Sequence, residues 1–360
     1  MNRTNPNLLK TKQHFQILDG LRGIAAVAVV IYHFMEIAIT DYSKNFMANG
    51  FLAVDFFFCL SGFVIGYAYD DRIEKIGIWK FFTLRLIRLH PLVIFGSILG
   101  LLAYLFDPFL APSATYGFGK ISLIFLSSIL LIPYPAMPER IFNLFSFNAP
   151  SWSLFWEYVA NITFAIGLYR IKKGFLTILI MIFAFGIVFI NYRSGNLMGG
   201  WGGPNFWDGL VRLCYSFFAG LLIYRSNWII KNNFGFIGIS FLLILAFVMP
   251  YGKWNLVTES FAVIVYFPLI VALGAGATLS EGLKKICVFS GKISYPLYMS
   301  HYWALWMFAN YLTKNKPDFT EKYSVVAFGT MSLIAFSYLV SEFFDIPIRK
   351  YLGKLLLKNT

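Results

Sequence analysis

The sequence is short of charge. Aspartate, glutamate, lysine and arginine make up 13% of its 360 residues, about half the share usual in soluble domains. A water-soluble enzyme of this length has too little solvating surface in such a composition. The three cysteines, Cys59, Cys214 and Cys287, are far apart and lie in or beside apolar runs. That spacing offers neither a disulfide framework nor a metal knuckle; they read as packing residues, and no metal site is expected. The first apolar run lacks a small-residue cleavage site, so it is expected to remain as a first helix rather than leave as a signal peptide. Internal repeats, low-complexity tracts and an appended soluble domain are also missing. What fills the chain instead is apolar: 58% hydrophobic residues, 19% aromatic, 40 phenylalanines, and a mean hydropathy of +0.67. This excludes a disordered chain and, despite a formal charge of +13, a nucleic-acid-binding module. The composition is that of a polytopic membrane protein.

A helix needs about 20 apolar residues to cross the hydrocarbon core. Runs at 17–37, 51–69, 86–106, 153–169, 174–191, 207–224, 234–250, 257–279, 291–312 and 323–345 meet or approach that length. The stretch 121–132 is shorter and is followed by Pro133, Pro135 and Pro138. Charge decides its course. With a cytoplasmic N-terminus and 121–132 re-entrant, most of the 30 basic residues fall on the inner side, among them Arg72, Lys172, Lys173, Arg225 and Lys350. A true crossing at 121–132 would turn every later basic cluster outward, against the positive-inside rule. The expectation is an all-α polytopic bundle of about ten transmembrane helices plus one re-entrant segment, both termini cytoplasmic. An inner segment 1–16 precedes a membrane domain 17–347, and a basic tail 348–360 follows. The longest outer segment, 107–152, is proline-rich and reads as a structured loop.

Ionisable residues inside spans are costly and are functional candidates by default. In span 1, Arg22 and His33 are eleven positions apart, which leaves them about 20° apart around the helix and about 16 Å apart along it. One face therefore carries a cation near the inner end and an imidazole near the outer end, with Asp19 placed to pair with Arg22. His33, Asp55 and Glu157 each sit four or five residues from an outer helix end, about 6–8 Å deep. A histidine and two carboxylates at one depth suit a general base with its orienting partners; alternatively, each only satisfies a neighbouring helix. Glu36 is expected at the interface as a solvated end residue. Arg85 and Arg88 stand at the inner mouth of span 3, where with Arg22 they could hold a polyphosphate or serve as topological anchors. His301 lies in span 9, where Pro296 is expected to bend the helix; it either lines a cavity or is a satisfied core group. Arg212 and Glu342 are buried charges with no obvious partner.

These features resemble the acyltransferase-3 family of integral membrane acyltransferases. The run Leu18 to His33 (LDGLRGIAAVAVVIYH) is similar to that family's first helix, including its Arg-x10-His pair, and Gly50 to Gly62 (GFLAVDFFFCLSG) to its second. Arg85-Leu-Ile-Arg88 is similar to its Arg-x-x-Arg motif, Ser151-Trp-Ser-Leu-Phe-Trp-Glu157 to its Trp-Ser-Leu-x-x-Glu block, and Ser294 to His301 to a late-helix block. The resemblance implies a cytoplasmic acyl-CoA co-substrate with no bound cofactor, acetyl as the default donor, and a glycan or lipid-linked saccharide hydroxyl as acceptor on the outer side of a bacterial inner membrane. On this resemblance the chain is expected to be the minimal form without a fused extracytoplasmic hydrolase-like domain. On this reading Arg22, Arg85 and Arg88 bind the donor's phosphates, His33 is the catalytic base held by Asp55 or Glu157, and Ser151, Trp152 and His301 line the acceptor side. Trp156, Trp201 and Trp207 offer further ring faces for sugar. The rival reading is a proton-coupled transporter, which intramembrane His, Asp, Glu and Arg also suit; the inverted halves with paired broken helices common in transporters are not visible.

Overall fold

In hydrocarbon every backbone N–H and C=O must be paired within the protein, so long apolar runs become helices. The computed structural model describes residues 15–109 and 116–357; Arg3, Lys10 and Lys12 of the expected inner segment, Pro112 and Lys358 lie outside the described residues. The helices are α1 (Gln16–Ala38), α2 (Ala53–Tyr69), the short α3 (Ile73–Ile76), α4 (Ile78–Phe106), α5 (Phe118–Ile129), α6 (Ser151–Ile166), α7 (Lys173–Ser194), α8 (Phe206–Arg225) and α9 (Gly235–Phe247). Helix α10 (Asn255–Phe261) runs through a π turn into α11 (Phe267–Gly276), and α12 (Glu281–Ser300) is followed by α13 (Tyr302–Asn315). Helix α14 (Phe319–Val340) passes a second π turn into α15 (Ile346–Leu356). Two isolated bridges, Asn143–Gly202 and Asn232–Ala277, are the only β pairing among the described residues.

Seven helical stretches among the described residues are long and apolar enough to cross a membrane: Gln16–Ala38, Gly50–Tyr69, Ile78–Phe106, Lys173–Ser194, Gly203–Arg225, Asn255–Gly276 and Phe319–Leu356. The remaining expected spans correspond to shorter or interrupted elements: α6 with 16 residues, α9 with 13, and the α12–α13 pair. Helix α5 has 12 residues, too few to span by itself. The residues expected as a tail from 348 onward continue α15 to Leu356. Helix α7 shows what surrounds the bundle: Phe175, Ile178, Met181, Ile182, Phe185 and Phe189 are all exposed, a surface suited to lipid tails and not to water.

The span expected at 291–312 is broken. Helix α12 passes through Pro296 and stops at Ser300, with His301 between it and α13. The carbonyls left over at the break are taken locally, as membrane burial demands: the Ser300 hydroxyl donates to Pro296 O at 2.6 Å, and His301 Nδ1 lies 3.0 Å from Leu297 O. The break therefore stands five residues past the proline that was expected to bend the helix.

Helix α1 packs most extensively on α12, and α2 on α8. At the second interface a Cβ on Gly220 would meet the Cys59 carbonyl oxygen, and one on Gly62 the Phe217 carbonyl oxygen. These small residues let two backbones touch, the usual device for helix association where the solvent is as apolar as the side chains. Gly220→Ala should cost about 1–3 kcal/mol, read as a lower melting temperature of the purified protein in detergent; an unchanged temperature would show that the helices can part without penalty.

Candidate active site

Two cavities lie along this frame. The larger, about 640 Å³, is lined by His33 and Glu36 of α1, Tyr42, Arg140, Trp152 of α6, Trp201, Arg212 of α8, and Tyr298, Tyr302 and Trp306 of α12 and α13, with other residues. The smaller, about 100 Å³, is lined by Arg22, Arg85, Arg88, Ser61, Ser153, Glu157, Ser294, Tyr295 and Tyr298, among others. Tyr298 belongs to both walls, and its hydroxyl lies 2.7 Å from Ser153 Oγ. The helical spacing that put Arg22 and His33 on one face of α1 thus gives each cavity one of them.

In the larger cavity His33 Nδ1 is 2.6 Å from Glu36 Oε1. The other Glu36 oxygen accepts from the Tyr42 hydroxyl at 3.2 Å, and Tyr42 Oη lies 3.4 Å from Tyr32 Oη. Burial beside this carboxylate pushes the Tyr42 hydroxyl well above its ordinary range, so it stays a donor. The His301 ring stacks on His33 at 5.5 Å between centroids. His301 is fully buried, its Nε2 has no partner among the described residues, and it stands behind His33 instead of lining the cavity.

The expected partners of His33 are elsewhere. Asp55 is fully buried and makes a two-pronged ion pair with Arg212, at 2.6 and 3.1 Å. Arg212 also donates to Gly199 O at 2.7 Å and lies 5.3 Å from the Trp152 ring centre. Glu157 accepts from Arg85 at 2.6 Å and from the Ser61 hydroxyl at 3.3 Å, and shares the smaller cavity with the arginines. The depth argument fails for a physical reason: it counts from the first helical residue as if each helix began at the membrane boundary. Helix α6 begins inside the bundle, because the segment before it is itself buried, with Leu144 to Ala149 at 5% exposure or less.

Arg22, Arg85 and Arg88 do converge. Arg22 donates to Ser294 Oγ at 2.8 Å and to Gly291 O at 3.2 Å, with Asp19 at 3.3 Å. Arg85 and Arg88 are not at a helix mouth; α4 starts at Ile78, so both lie within it. Arg85 is buried and Arg88 exposed. Trp152 lines the larger cavity, whereas Ser151 is buried and its hydroxyl has no partner among the described residues. Trp201 also lines it, whereas Trp156 is buried in packing and Trp207 is exposed. Glu342, read as unpartnered, is paired with Lys292.

The roles of Glu36 and Arg212 escaped the sequence reading, which passed over Arg140 altogether. Glu36 follows His33 by one helical turn, a spacing that brings side chains together, so the signal was present. Arg212 could be found only by knowing that α2 packs on α8. Arg140 follows Pro138 in a short 3-10 turn and is 6% exposed. Its guanidinium lies 4.0 Å from the Trp306 ring centre, and no ion pair or hydrogen bond engages it among the described residues. A desolvated cation–π contact gives about 2 kcal/mol, while burying a charge costs several, so the ring alone does not offset the burial. The next two residues, Ile141 and Phe142, have φ of 54° and 49°, a left-handed conformation costing about 1–2 kcal/mol for each L-residue. The segment is held in place through Leu144 N–H, which donates to Trp201 O at 2.9 Å.

The acyltransferase-domain model matches residues 15–342. A protein of the picA locus of Rhizobium radiobacter is 32% identical over 172 residues, covering 42% of this chain and 82% of that protein. The O-acetyltransferase OatA of Staphylococcus aureus is 37% identical over 81 residues, covering 22% of this chain but only 12% of its own length. No solved structure matches. Since the family model takes in both cavities and every helix that lines them, the chain belongs to the acyltransferase-3 family and is a membrane acyltransferase.

Proposed function

We propose that this protein moves an acyl group, by default acetyl, from cytoplasmic acyl-CoA to a hydroxyl of a cell-surface or lipid-linked glycan on the outer side of a bacterial inner membrane. The observation that carries the reading is the meeting of the two cavities at Tyr298, with three arginines in one and a histidine–glutamate pair in the other. Arginine forks match phosphate oxygens, so Arg22, Arg85 and Arg88 hold the donor's phosphates. The thin pantetheine arm passes Tyr298 and brings the thioester toward His33. With Nδ1 engaged by Glu36, His33 Nε2 takes the acceptor hydroxyl's proton as the oxygen attacks the thioester carbonyl. The C–S bond then breaks, and the CoA thiolate leaves with that proton restored to its sulfur. Trp152 and Trp201 present ring faces to the sugar.

The test uses sealed proteoliposomes containing the purified protein, labelled acetyl-CoA inside and de-O-acetylated envelope polysaccharide from a bacterial host outside. Label is expected on the polysaccharide; its absence there while both substrates and protein are intact overturns the reading. Arg22→Ala and Arg88→Ala should each raise the apparent KM for acetyl-CoA about tenfold, the scale of one charge-assisted hydrogen bond. Their kcat should stay within about twofold on that same estimate. Unchanged KM values would make both residues topological anchors.

A further inference from the structure

We propose that the larger cavity recognises an anionic group on the acceptor, a carboxylate or a phosphate, and that Arg140 binds it. This rests on the acceptor entering that cavity, as proposed above. The other charged groups that line it are already matched: Glu36 by His33 and Tyr42, Asp208 by Arg193 at 2.7 Å, and Arg212 by Asp55. Arg140's own sequence neighbour, Glu139, is occupied by the Tyr116 hydroxyl at 2.7 Å. Among the charged groups of the wall, Arg140 alone has no ion-pair or hydrogen-bond partner among the described residues; the carboxylates of Glu139 and Asp107 act on it only at a distance.

The manner of its holding points the same way. A guanidinium over an indole face keeps its N–H edge available, and that edge fits two oxygens of a carboxylate or phosphate. Neutral hydroxyls need no buried cation, since asparagines such as Asn143, Asn196 and Asn205 line the same cavity. The left-handed pair Ile141–Phe142 fixes the backbone directly after Arg140 in a conformation that non-glycine residues avoid, and such strain clusters where a ligand is gripped. Burial pushes the Arg140 guanidinium down to about 10, which leaves it charged at neutral pH. Arg140 is also close to the chemistry. The Tyr302 ring lies 6.2 Å from the His33 ring and 6.2 Å from the Trp306 ring, on which Arg140 stacks. The anionic group and the acylated hydroxyl therefore belong to one short stretch of the acceptor.

The experiment measures binding, with no acyl donor present, of three probes to the purified full chain in nanodiscs: methyl glucuronoside, glucose 1-phosphate and the neutral methyl glucoside. Wild type should bind at least one anionic probe about tenfold more tightly than the neutral one. Whichever probe is preferred tells carboxylate from phosphate. Arg140→Gln should abolish the preference, and Arg140→Lys should keep part of it. Failure of wild type to prefer either anionic probe overturns the proposal, and so does a preference that survives in Arg140→Gln. The wild-type comparison decides even where Arg140→Gln does not fold. Because binding is read with no donor present, a failure of the transfer chemistry would leave this result standing.

Discussion

Glu36→Gln should lower kcat for acyl transfer by about 10²–10⁴-fold, and His33→Ala by at least as much. The argument is geometric. His33 Nδ1 has a single carboxylate partner at 2.6 Å, and that contact fixes both the ring's tilt and which nitrogen faces the substrate. A glutamine fills the same volume, but it can present its NH₂ group to Nδ1 and favour the wrong tautomer. It also gives no charge to stabilise the imidazolium that forms as the proton moves. With donor binding assigned by the proposal to the arginines of the other cavity, the apparent KM for acetyl-CoA should not change with either substitution. A Glu36→Gln protein working within about threefold of wild type would return the base's support to some other group. Asp55→Asn provides the contrast: its carboxylate is committed to Arg212, so its effect should fall on the folded fraction and not on kcat per folded molecule.

Arg212→Ala should destabilise the protein by about 3–5 kcal/mol, because it leaves the fully buried Asp55 carboxylate without its cation. Both side chains are at 1% exposure or less. The loss also frees the Gly199 carbonyl and the Phe51 carbonyl, which Arg212 engages at 2.7 and 3.4 Å. In thermal melts of detergent-solubilised protein the drop should be at least about 6 °C. Asp55→Leu combined with Arg212→Met removes both charges and should recover part of that loss. Full recovery is not expected, since methionine offers the two carbonyls no donor. A single Arg212→Ala variant that melts with wild type would show that water reaches Asp55 after all.

The fold was readable where one physical rule governs. Lipid admits only apolar helices, so α1, α2, α7 and α8 follow from hydrophobic run length within a few residues. The Arg22–His33 relation was readable because it depends on helical pitch alone. Legibility ended where a second element intervenes. The partner of Asp55 lies 157 residues along the chain, and nothing local to Asp55 names Arg212. Glu157 was placed at the depth of His33 because the buried approach through residues 144–149 is not announced by hydropathy. The interruption at His301 is equally silent: its stability comes from Ser300 and His301 capping the preceding carbonyls, which a proline-based reading does not anticipate. Glu36 was within reach of the i, i+3 rule, but its place near a helix end favoured the reading as a solvated residue.

The two cavities differ in what holds them. The arginine side is carried by α1, α2, α4, α6 and α12, and Arg22, Arg85 and Glu157 are fixed there by contacts between helices. The opposite wall owes Arg140, Asn143, Asn196, Trp201 and Asn205 to connecting segments, tied to each other by Leu144 with Trp201 and Asn143 with Gly202. Connections between packed elements tolerate exchange far better than the elements themselves. A lineage could therefore retarget such an enzyme by replacing two connecting stretches together, as a linked cassette, while the arginine side proposed to handle the donor is inherited untouched.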